Sequence, residues 1–133
     1  METIDISLSE EVYTISRLSR EARILLESHF PYIWVEGEIS NFTAPHSGHW
    51  YFSLKDAGAQ VRCAMFRGQN RNVSFMPKDG LHIFAKVKVS LYEGRGDFQL
   101  IIEQMNEVGK GKLQQEFEKL KKKLMAKNTA SFF

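Results

Sequence analysis

Residues 81–92, LHIFAKVKVSLY, alternate apolar and polar side chains with a period of two. Leu81, Ile83, Ala85, Val87, Val89 and Leu91 fall on one face, opposed by Phe84, Lys86, Lys88 and Tyr92. Only an extended strand sends neighbouring side chains to opposite sides, so this run commits the chain to a long, half-buried β-strand. Four further runs read the same way. Ile33 to Phe42 places Val35, Gly37 and Ile39 against Glu36, Glu38 and Ser40. The next run sets Trp50, Phe52 and Leu54 against His49, Tyr51, Ser53 and Lys55. A third sets Val61, Cys63 and Met65 against Gln60, Arg62 and Phe66, and Phe98 to Met105 returns as the fifth.

The breaks between these runs have turn chemistry. Asp56-Ala57-Gly58 joins the second and third strands, Pro77-Lys78-Asp79-Gly80 precedes the fourth, and Glu93-Gly94-Arg95-Gly96 makes a glycine-rich hairpin tip. Gly37 in mid-strand implies strong bending or close backbone approach, as small barrels require. Between the third and fourth strands, 68–75 is too polar for a core strand and suits a short helical turn.

Helices are expected at both ends. Ser7-Leu8-Ser9-Glu10 has the pattern of a capping box. Val12, Ile15, Leu18, Ala22 and Leu25 follow at helical spacing, with Arg17, Arg20, Glu21 and Arg23 on other faces, until Pro31 ends the helix. Such a helix packs on the sheet, although its arginines could also touch a nucleic acid. Near the other end, Leu113, Phe117, Leu120 and Leu124 mark a lysine-rich helix. The expected fold is therefore mainly β with flanking helices: a five-stranded OB-fold barrel, an N-terminal amphipathic helix and a C-terminal Lys-rich helix. Other small barrels share the alternation. The expected division is 1–30 as a helical segment on the barrel, 31–108 as the barrel, and 109–133 as the C-terminal helix.

Charge is distributed unevenly. The formal net charge of +2 divides into −5 for residues 1–38, +4 for 39–102 and +3 for 103–133. A polyanion would be drawn to the last two parts, though an unevenly charged, solvated surface accounts for the same figures. No apolar run approaches the roughly 20 residues that span a bilayer. The segment METIDISLSEEV lacks the basic-then-apolar signature of a secretory signal, and the one cysteine, Cys63, suits a reducing compartment. A cytoplasmic protein is expected.

Single-stranded nucleic acid is held by flat rings that stack on bases and cations that meet phosphates. On the outward face of strands two and three, Tyr51, His49, Lys55 and Arg62 supply both, with Phe66 and Arg67 just beyond. Asn41, Phe42 and His46 would lie at one rim, and Tyr92, Arg95 and Phe98 at the other. Against this stands a structural alternative, in which Tyr51 covers a barrel end and Arg62 pairs with Glu36 or Glu38.

Catalytic patterns are missing from the sequence. His29, His46, His49 and His82 share no metal-ligand spacing, His46-x-x-His49 lacks an evident third ligand, and Cys63 reads as a packed core thiol. No metal or cofactor is expected in this chain.

Four segments, VEGEISNF (35–42), SGHWYFSLKD (47–56), QVRCAMFRG (60–68) and VSLYEGRGDFQL (89–100), resemble the N-terminal domain of the exodeoxyribonuclease VII large-subunit family. The likeness runs from about Leu8 to Leu124 and includes GKGKLQQEFEKLKKKL. It implies an OB-fold that binds single-stranded DNA. It also implies a parent hydrolase that degrades single-stranded DNA from both ends, in DNA repair and catabolism, with a small subunit recruited elsewhere on the large one. The matching positions imply binding roles for Tyr51, Arg62, Arg67, Arg95 and Phe98. Because the catalytic domain of that family has no counterpart here, this chain is expected to bind but not to cut. A homodimer, or pairing of the terminal helices with another subunit, is the alternative reading.

Overall fold

The computed structural model describes residues 11–109, together with helical positions 118, 119 and 122. Helix α1 (Ile15–His29) leads into β1 (Ile33–Thr43), β2 (Trp50–Lys55) and β3 (Gln60–Met65). A single helical turn, α2 (Arg67–Asn70), then precedes β4 (His82–Tyr92) and β5 (Asp97–Glu107). The strands close in the order β1-β2-β3-β5-β4, with β4 returning to β1. Every junction is antiparallel except β3 with β5, a short parallel seam pairing Arg62 with Gln99, Cys63 with Leu100 and Ala64 with Ile101.

The inward faces fill the barrel. Ile39, Met65, Ile83, Val87 and Ile102 are its largest fully buried side chains, joined by Phe52, Leu54, Val89, Leu100 and Met105. Burial pushes the Cys63 thiol up to about 12, so it behaves as a packing group with almost no thiolate at neutral pH. Gly37 answers to the close approach expected of it. A Cβ there would stand 3.2 Å from the Lys55 carbonyl oxygen and 3.4 Å from the Leu54 Cβ, across the β1–β2 pairing. At the β2–β3 turn, the Asp56 carboxylate accepts from the amides of Gly58 and Ala59, both at 2.9 Å.

The N-terminal helix departs from its sequence reading in two ways. Residues 11–14 are not helical, and Thr14 is the cap: its hydroxyl oxygen accepts from the Arg17 amide at 3.1 Å. The capping-box segment 7–10 lies outside the described residues. The helix is also rotated from the expected face. Ser19, Ala22, Arg23, Leu26 and Glu27 turn toward the barrel, whereas Ile15, Leu18 and Leu25 are exposed. This mixed face docks because Leu26 packs against the core while Glu27 meets Lys88 and Ser90 of β4, groups that would be costly to cover with aliphatic side chains. The C-terminal lysine-rich stripe falls outside the described residues apart from the three helical positions named above.

Candidate nucleic-acid interface

Barrel closure converts distant sequence positions into neighbours. The β3–β5 seam sets Gln99 beside Arg62, and the adjoining β4–β5 hairpin tip overhangs them. Tyr51, Arg62, Tyr92, Arg95, Asp97, Phe98 and Gln99 line one cleft of ≈ 200 Å³. Five of the anticipated residues, Tyr51, Arg62, Tyr92, Arg95 and Phe98, thus meet in one place. Tyr51, Tyr92 and Phe98 are exposed, at 38, 54 and 51% of their residue surface. Among the described residues, Arg62 makes no ion pair, so neither Glu36 nor Glu38 neutralises it. Arg95 lies 3.6 Å from Asp97 on an exposed part of the tip, a contact weak enough to yield to a phosphate.

The strip continues past Tyr51. Its ring meets His49 edge-on at 6.5 Å, and His49 in turn meets Phe66 at 5.3 Å. The His49 Nδ1 accepts the Arg67 amide at 3.0 Å, which places any imidazole proton of the neutral ring on Nε2. Gly48 makes this corner possible. Its φ is +86°, and a Cβ on it would stand 2.8 Å from the Arg67 Cδ. The Asn70 amide group donates to the Gly48 carbonyl at 2.7 Å and ties α2 to the same corner. Gly48→Ala should therefore lower unfolding free energy by about 1 kcal/mol through its left-handed backbone. Urea titration of the two proteins measures this, and Arg67 should shift in the variant.

Other anticipated residues do not line the cleft: His49, Phe66 and Arg67 lie along the adjoining strip, whereas Lys55 and Phe42 are set apart from both. Lys55 points outward like Tyr51, but β1 pairing sets Glu38 directly across from it, and its Nζ lies 3.5 Å from that carboxylate. Both line a different cleft, with Glu36, Gly37, Asp56, Ala57 and His82, whose acidic character repels a polyanion. Lys55→Ala should leave oligonucleotide affinity within about twofold, as expected for an exposed, already paired cation; fluorescence anisotropy checks this. Phe42 is turned into the barrel mouth, edge-on to Trp50 at 5.6 Å and beside Phe52 at 6.1 Å. A register shift between Ser40 and Thr43, with Asn41 at φ 53°, swings it inward. Conversely, Gln99 joins the cleft without having been singled out. Its signal was the alternation of β5, which sends it outward next to Arg62.

A closed five-stranded barrel with an aromatic and cationic cleft beside its β4–β5 hairpin defines a class of nucleic-acid-binding module. The chain belongs to the OB-fold nucleic acid binding domain family, whose profile matches residues 13–106. At closer range it is similar to two proteins named exodeoxyribonuclease 7 large subunit. That of Vibrio parahaemolyticus serotype O3:K6 is 58% identical over 118 residues, covering 89% of this chain and 27% of the relative. That of Enterobacter sp. (strain 638) is 54% identical over 120 residues, covering 90% and 26%. The chain therefore spans about a quarter of the length of these relatives. Among solved structures, a replication protein A heterotrimer bound to ssDNA superposes with a TM-score of 0.51 at 10% identity, covering 68% of this chain and 67% of that one. At that identity the likeness concerns the fold. No helix among the described residues is long and apolar enough to cross a membrane.

Proposed function

We propose that this barrel is the single-stranded DNA-binding domain of an exonuclease VII large subunit, and that it captures the strand for a nuclease site elsewhere in a longer polypeptide. The observation that carries this is the convergence of Tyr51, Arg62, Tyr92, Arg95 and Phe98 from four strands and a hairpin tip around one cleft. Arg62 and Arg67 attract the backbone, while Tyr51 and Phe98 offer ring faces to unpaired bases. Duplex DNA keeps its bases stacked inside and cannot use those rings. In this reading the small subunit engages parts of the large subunit beyond this chain, and the assembly works in the bacterial cytoplasm on single strands.

A salt titration tests the reading. Anisotropy of a fluorescein-labelled oligothymidylate, set against a labelled duplex of equal length, should show clear preference for the single strand. With two to four phosphates engaged, the slope of log affinity on log salt should lie between about −1.4 and −2.8. Equal affinity for the duplex, or no binding at low salt, would remove the proposal.

A further inference from the structure

The β4–β5 tip forms one wall of the cleft, yet it carries Glu93, whose charge is the wrong sign for holding a polyanion. Its partners explain its presence. The Arg23 Nε of α1 donates to Glu93 at 2.5 Å, across 70 residues of sequence, and the Arg20 Nε lies 4.0 Å from the other carboxylate oxygen. Arg23 also donates through Nη1 to both oxygens of Glu27 at 3.2 Å. Glu27 accepts from the Ser90 hydroxyl at 2.8 Å and lies 3.3 Å from the Lys88 Nζ. One polar network thus joins α1 to the body of β4 and to the hairpin tip.

The network reaches the cleft at the tip, beside Tyr92. Tyr92 adjoins Glu93, and its ring lies over Gly94, where a Cβ would stand 3.3 Å from Tyr92 Cε1. The Tyr92 carbonyl accepts from the Gly96 amide at 2.7 Å, which ties the tip to the Tyr92 backbone. Burial alone would raise the Glu27 pKa, but hydrogen bonds from Ser90, Arg23 and Lys88 outweigh it and hold the carboxyl below its ordinary value. A depressed pKa gives stabilisation that is present above the unfolded-state value and lost as pH falls through the folded one. The network is therefore complete at neutral pH.

We propose that α1 is a brace for the β4–β5 tip, with Arg23 and Glu93 as a positioning pair that fixes Tyr92, Arg95 and Phe98 for an incoming single strand. This rests on the single-stranded DNA reading above. It gives Glu93 a role opposite to its simple electrostatic one. Removing a negative charge beside a polyanion site should tighten binding, whereas loosening the wall should weaken it.

The sign of the effect decides. In the full chain, Glu93→Gln and Arg23→Gln should each weaken oligothymidylate binding roughly two- to fivefold, the scale of one exposed ion pair. The double variant should be no weaker than the worse single one, with the salt slope of Glu93→Gln unchanged. Hydrogen exchange of the ligand-free protein gives a second readout: amides of 92–96 should exchange faster in Glu93→Gln, with those of β1 to β3 unaltered. Affinity for Glu93→Gln equal to or tighter than wild type, or unaltered exchange at the tip, overturns the brace alone. If wild type fails to bind the oligonucleotide, the DNA reading falls and the brace falls with it, a distinguishable result.

Discussion

Replacing Arg62 and Arg67 together with alanine should weaken binding of a labelled single-stranded oligonucleotide by about 25-fold at 0.1 M salt, because each lost phosphate contact removes about 0.7 from the salt slope and so about fivefold in affinity there. The slope itself should become shallower by about 1.4. Neither guanidinium is buried or ion-paired among the described residues, so the fold has little reason to change. Arg67 contributes its amide and its aliphatic stem to the Gly48–His49 corner, and alanine keeps the amide. Anisotropy across a potassium chloride series measures both quantities, with circular dichroism melting as the control for folding. Unaltered affinity at low salt would take these residues out of the site.

Tyr51→Ala should produce a comparable loss by different physics. One base–aromatic stack contributes roughly 1–3 kcal/mol, which corresponds to about 5- to 150-fold in affinity. The salt slope should not move, since no cation is removed. Tyr51→Phe keeps the ring and should bind nearly as wild type. Tyr51 sits opposite Ala64 on β3 and beside the cleft, with 38% of its surface open, so truncation costs little packing. Together the two substitutions separate rings from charges. If Tyr51→Ala changed the slope, or left affinity untouched, stacking on this ring would have to be abandoned.

Much of the scaffold was legible because strands impose a period of two that no other element shares. Of the inward sets, Phe52 and Leu54, Cys63 and Met65, and Ile83, Ala85, Val87 and Val89 are buried, whereas Trp50, Val61, Leu81 and Leu91 are half-buried, and Phe84, read as outward, is buried too. Turn chemistry likewise worked where a side chain bonds its own backbone neighbours, as Asp56 does. Helix α1 was harder. Its aliphatic periodicity pointed to Ile15, Leu18 and Leu25, but the face that docks is set by what β4 and the hairpin offer in return, and these lie about 70 positions away.

The site shows the same division. Tyr51 and Arg62 were readable as outward residues of β2 and β3, but so was Lys55, and parity cannot tell them apart. Register does, since Glu38 stands across from Lys55 and no carboxylate among the described residues pairs with Arg62. Phe42 was displaced by a local irregularity in β1 that an alternating pattern does not reveal.

The amino-acid order alone therefore determined five strands, their inward faces, their turns and the chemical kind of surface they present, because each of these depends on neighbours a few residues apart. Closure decided the rest. The parallel seam of β3 with β5 placed Arg62 beside Gln99 and under the hairpin tip, and α1 was seated by Leu26 and polar contacts to β4 and the tip rather than by Ile15, Leu18 and Leu25. Contacts between positions far apart in the chain depend on how strands pair and in what register, and only the assembled barrel fixes that.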